Sequence, residues 1–145
     1  MTVRQLRFVI TVDDHDAVVS FFREALGMPV AAAYEGPGEA QVTILDAGRA
    51  TLEVINQAQA EYIDEVEVGR RVAGKVRLAL EVDDVDAAAD RAQGQGAART
   101  APPIATPWNS RNARLEAPGH IHLTLFQELG DRWRRIRLMA RRVEN

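Results

Sequence analysis

The chain has 145 residues, of which 46% are hydrophobic and 27% charged, and a formal net charge of −3. These values fit one compact domain, or two half-domains sharing a core, and argue against a disordered chain, a nucleic-acid binder or a protein of anionic membrane surfaces. The lack of any cysteine excludes disulfides, thiol nucleophiles and thiolate-bound metals.

In chain order, Leu6, Phe8, Ile10 and Val12 alternate as one face of a strand. Asp14 follows as a helix N-cap, and Val18, Phe21, Phe22, Ala25 and Leu26 recur at helical spacing up to Gly27, a natural stop. Strands are expected over 28–35, 40–46 and 50–56, separated by Gly36-Pro37-Gly38 and Ala47-Gly48 turns. Residues 57–75 are polar, carry Gly69 and Gly74, and read as a linker. Val76, Leu78, Leu80 and Val82 then repeat the alternation, with Asp84 as the next cap. A helix with a weaker stripe of Val85, Ala88, Ala89 and Ala92 ends at Gly94 and Gly96. A strand over 98–105 is interrupted by Pro102 and Pro103, and strands over 108–116 and 120–127 flank a Pro118-Gly119 turn. Residues 129–143 form a rough helical stripe, and the tail's arginines read as its solvated face.

The two halves are copies. Residues 6–17 read LRFVITVDDHDA and residues 76–87 read VRLALEVDDVDA, with six of twelve positions identical. The expected organisation is a first βαβββ module at 1–56, the linker at 57–75, a second module at 76–128 and a C-terminal helix and tail at 129–145, together one structural domain. The fold class is therefore α+β, built from two tandem βαβββ modules.

Several stretches carry a resemblance: Val12-Asp13-Asp14 with Phe21-Phe22-Arg23-Glu24-Ala25-Leu26-Gly27, Pro107-Trp108, and Ala117-Pro118-Gly119-His120 leading into Leu123-Thr124-Leu125-Phe126-Gln127. With the repeat, they make residues 4–128 resemble the vicinal oxygen chelate superfamily. This is the group of glyoxalase I, bleomycin-resistance proteins, extradiol dioxygenases and fosfomycin-resistance enzymes. The resemblance implies curved mixed sheets around a ligand cavity, and a homodimer. It also implies metal ligands on the first and last strand of each module. Those four positions hold Arg7, Glu53, Arg77 and Thr124. A guanidinium has no lone pair to give a metal. The reading is accordingly a metal-free site with no cofactor.

Strand parity sends Arg7, Arg77, Glu53, His122 and Thr124 to the cavity side. Arg7 and Arg77 can clamp a carboxylate, phosphate or enolate, or Arg7 can simply pair with Glu53 inside the sheet. His120 and His122, alternate on a strand and about 7 Å apart, can ligate one ion with Glu53 or Glu116. Alternatively, His120 sits in solvent while His122 hydrogen-bonds in the cavity or acts as a general base. Trp108 can stack on a planar ligand or merely pack, and Tyr34 borders the same groove. The candidate ligand-binding set is Arg7, Glu53, Arg77, Trp108, His122 and Thr124; no metal ligand and no catalytic residue is assigned.

The function expected is binding of a small planar or anionic molecule, in the manner of drug or metabolite sequestration. The alternatives are a glyoxalase-like lyase, isomerase or dioxygenase with a non-standard or absent metal site, and a module that only binds a protein partner. With no apolar run of transmembrane length, no leader and no cysteine, a cytoplasmic homodimer without nucleic-acid or membrane partners is expected.

Overall fold

A computed structural model describes residues 2–130. The elements are β1 (Gln5–Val12), α1 (His15–Leu26), β2 (Val30–Glu35), β3 (Gln41–Asp46), β4 (Thr51–Asn56), α2 (Gln57–Glu67), β5 (Val76–Glu81), α3 (Val85–Gly94), β6 (Ala98–Ala105), β7 (Ser110–Ala117) and β8 (Ile121–Glu128). The fold is α+β. The expected C-terminal helix lies outside the described residues, apart from its first positions. Among the described residues, no helix is long and apolar enough to cross a membrane.

The repeat reappears in the capping chemistry. The Asp14 carboxylate accepts the Ala17 N–H at 3.1 Å, and the Asp84 carboxylate accepts the Ala87 N–H at the same distance. Each satisfies one of the backbone donors a helix start leaves open. Gly27 ends α1 at a φ of +66°, a left-handed conformation that glycine adopts without steric penalty.

All eight strands join one sheet in the order β2-β3-β4-β1-β5-β8-β7-β6. The order reads outward from a central antiparallel β1–β5 pair, and within each half the first strand runs parallel to the last. β6 tolerates Pro102 and Pro103 because it is an edge strand, and its register against β7 shifts on both sides of Ala101. Arg7, Val9, Thr11, Arg77, Ala79 and Glu81 are all buried, so the parity assigned to the first strand of each half holds.

Two expectations need correction. The segment 57–75 is not a plain linker, because α2 occupies its first part. This helix packs across the inner side of the sheet against β1, β3, β4, β6 and β7. Its buried residues are Gln59, Ala60, Ile63, Asp64 and Glu67. Only two of those are apolar, so the hydrophobic periodicity that marks most helices is nearly absent. The parity that sends Arg7 to the cavity turns Leu6, Phe8, Ile10 and Val12 toward the helices, and there the structure differs too. The helix α3 covers β6, β7 and β8 with Val85, Ala88 and Ala89. The helix α1 covers less: Phe21 and Leu26 are exposed, and Phe22 is half-buried. Leu6 and Phe8 of β1 and Val76 of β5 stay about two-fifths exposed, at 38%, 40% and 42%, instead of meeting a helix.

Candidate functional site

Between the inner face of the sheet and α2 lies a cavity of about 370 Å³, within the usual range for a small-molecule site. Five of the six expected ligand-binding residues line it: Arg7, Glu53, Arg77, Trp108 and Thr124. Tyr34 lines it as well. His122 does not; its ring lies by Gly74, away from the cavity. His120 stands in solvent at the β7–β8 turn, with Nδ1 2.6 Å from Glu116 Oε1. The third histidine, His15, is buried at the start of α1, with Nε2 3.0 Å from the Thr43 hydroxyl.

The polar floor is a row of alternating charges. Glu128 Oε1 lies 3.8 Å from Arg7 Nη2. The Arg7 guanidinium also donates to Gln5 Oε1 and sits over the Phe126 ring, 4.5 Å from its centroid. Next comes Glu53, whose Oε2 is 4.0 Å from Arg77 Nη2 and whose charge acts on Arg7 too. Arg77 Nη1 donates to the Thr124 hydroxyl at 2.6 Å. Beyond Arg77 sits Glu67, with Arg114 Nη1 4.0 Å from its Oε1 and Asn112 donating to it at 3.4 and 3.5 Å. Arg114 then bonds Asp64 at 2.8 Å, and Asp64 accepts further bonds from Arg71 and from the Val72 and Ala73 N–H groups.

Burial acts on Arg7, Arg77, Glu67, Glu128 and Asp64. It lowers the pKa of both Arg7 and Arg77 against the opposing pull of neighbouring carboxylates, Glu53 and Glu128 for the first and Glu67 and Glu53 for the second. Arginine still keeps its proton in a protein. Burial raises the Glu67 carboxyl, and Arg77 and Arg114 oppose it. Burial likewise pushes Glu128 up to about 7, because Arg7 is its single opposing charge of weight. Asp64 is the opposite case: burial alone would raise it, but the Ala73 and Val72 N–H groups and the Arg114 and Arg71 guanidiniums hold it below the ordinary value.

The four positions where the resemblance implies metal ligands do not fit a divalent ion. Two are cationic guanidiniums without a lone pair, and the Thr124 hydroxyl already accepts from Arg77. What the arrangement offers instead is N–H donors and carboxyl acceptors along one wall and flat rings along the other. Tyr62 and Trp108 meet edge to face there, with centroids 5.9 Å apart.

Among the lining residues that escaped the sequence reading are Glu128, Asn112 and Glu67. Glu128 shares parity with Thr124 and Phe126, and extending that strand by one residue would have found it. Asn112 lies on β7, where Ser110, Asn112 and Arg114 alternate as an unusually polar inner face. Glu67 had no such signal, because its segment showed no periodicity.

Residues 4–125 match the family model of the Glyoxalase/Bleomycin resistance protein/Dioxygenase superfamily. No curated protein matches the chain. Among solved structures, a hypothetical protein from Bacillus halodurans C-125 superposes with a TM-score of 0.67 at 12% identity, over 88% of this chain and 96% of that one. Methylmalonyl-CoA epimerase from Mycobacterium tuberculosis gives 0.64 at 19% identity, over 89% and 91%. A glyoxalase/bleomycin resistance protein/dioxygenase superfamily member from Vibrio splendidus 12B01 gives 0.60 at 16%, over 88% and 100%. At these identities the likeness is one of fold. The match of the family model over most of the chain, with the paired modules around a cavity, shows that the chain belongs to the Glyoxalase/Bleomycin resistance protein/Dioxygenase superfamily.

Proposed function

We propose that this protein binds and sequesters a small planar molecule, a drug or a metabolite, without a metal ion. The observation that carries this is the pair of buried arginines, Arg7 and Arg77, at positions where the resemblance implies metal ligands, both lining the cavity. Of the two ligand types expected, planar is better supported than anionic. Glu53, Glu67 and Glu128 line the same cavity as the two arginines, so the wall already balances its own positive charge. The rings of Trp108 and Tyr62 supply a flat, partly apolar contact.

The protein is proposed to act as a cytoplasmic homodimer. The exposed Leu6, Phe8 and Val76 on the outer face of the central strands support a second copy there. A second functional reading, a metal-free isomerase or lyase of the same family, is favoured by one observation: Glu128 is a cavity carboxyl held near neutrality.

The test is metal content by elemental mass spectrometry, before and after incubation with nickel, zinc, manganese and iron(II), followed by a thermal-shift screen of planar antibiotics and small acids. The expected result is no stoichiometric metal, and a planar hit whose shift is lost in Trp108→Ala. A metal content near one per chain sinks the proposal. A hit that is chemically converted moves the protein to the second reading.

A further inference from the structure

We propose that Glu128 sets the specificity of the cavity, and that the ligand presents to it a neutral hydrogen-bond donor, the N–H of a carboxamide or lactam carried on a planar ring. This rests on the ligand-binding reading of the cavity given above.

The Glu128 side chain is 8% exposed and lines the cavity. Neither of its oxygens has a hydrogen-bond partner within the protein. Buried carboxyl oxygens are ordinarily bonded, so an orphaned pair on a side chain that lines a cavity points to a partner that arrives from outside. The neighbouring polar groups are already engaged. Ser110, the register partner of Glu128 on β7, bonds Asn112 and Thr106 through its hydroxyl. Gln5 accepts from Arg7. Arg7 itself is 3.8 Å from Glu128, beyond hydrogen-bonding range but near enough to act as a charge.

That charge decides the class of donor. A cationic ligand group set against Glu128 would also meet the Arg7 guanidinium. An anionic one would meet the negative charge of Glu128 whenever that carboxyl is ionised. A neutral N–H avoids both costs, and its adjacent carbonyl suits the guanidinium side. Trp108 lines the same cavity, so a ring bearing the amide has a flat neighbour.

The experiment is calorimetric titration of the full chain with benzamide and with benzoate, which share a ring and differ in the donor. The wild type is expected to bind benzamide roughly tenfold more tightly than benzoate, the scale of one hydrogen bond to a charged group. Glu128→Gln, which keeps a carbonyl acceptor but drops the charge and adds an N–H donor, should keep benzamide binding and narrow that preference by admitting benzoate. Glu128→Met, which keeps the volume and removes the acceptor, should abolish it without loss of folding by circular dichroism. Benzoate binding as well as benzamide in the wild type, or a Met variant that still prefers benzamide, overturns the role of Glu128 and leaves the cavity reading intact. If neither probe binds at millimolar concentration, the ring-borne amide falls as the ligand class, and the cavity reading is decided separately by the thermal-shift screen of planar antibiotics.

Discussion

Phe8 and Leu78 face one another across the β1–β5 ladder, and they are also equivalent positions of the internal repeat. A pseudo-twofold axis therefore passes through this pair. Every position near it occurs twice, once in each half. This is why Arg7 and Arg77 lie on the same inner face, each diagonal to the other: Arg7 pairs with Ala79, and Val9 pairs with Arg77. The symmetry is broken farther out. Glu53 on β4 has Thr124 as its counterpart on β8, and α2 crosses the face from one side.

The repeat predicts matched responses at the caps. Asp14→Ala and Asp84→Ala should each lower stability by about 1 kcal/mol, the usual value of a side-chain N-cap. Urea denaturation midpoints check this. A cost near zero at either position would show that the cap there is only geometric.

A second prediction concerns Asp64 and Arg114, which are 50 residues apart in sequence and 2.8 Å apart in space, with side chains 1% and 2% exposed. Removing one partner strands a buried charge, so Asp64→Asn or Arg114→Met should each cost about 3–5 kcal/mol. Replacing both with apolar residues should cost less than either single change. Because the folded Asp64 pKa is depressed, its contribution is complete above the unfolded value of 3.8 and is lost as pH falls through the folded one. Acid titration of Asp64→Asn should therefore lack part of the wild-type loss below that value. Equal acid sensitivity in both proteins would contradict the assignment.

Glu128 has the opposite sign. Its folded pKa of about 7 lies above the unfolded value of 4.5, so folding is favoured below 4.5 and loses that advantage progressively up to about 7. Relative to Glu128→Gln, the wild type should lose about 1–2 kcal/mol across that window, a figure discounted for solvent screening. Thermal melts of the two proteins at matched pH values measure it. Parallel curves would mean that Glu128 titrates as an ordinary surface acid.

Much of the architecture is legible in the sequence because it is encoded locally. Alternation in 6–12 and 76–82 marks two strands and their inner faces. Asp14 and Asp84 mark two helix starts. Residue type and parity put arginines at 7 and 77 on the inner face, and the family resemblance marks those two positions as ones where a metal ligand is implied. The tertiary structure decided what depends on distant partners. α2 carries inward-facing Gln59, Asp64 and Glu67, so no apolar stripe announces it; it is a helix because the sheet supplies Arg114 and the loop supplies the Val72 and Ala73 N–H groups to satisfy Asp64. The chemistry of Glu128 has the same origin. Its carboxyl is ordinary in sequence, and only the closing of β8 beside β7 and β5 removes it from water near a single opposing charge, Arg7. Local patterns specify elements and faces, whereas burial and charge pairing are properties of the packed chain, because desolvation depends on everything that surrounds a group.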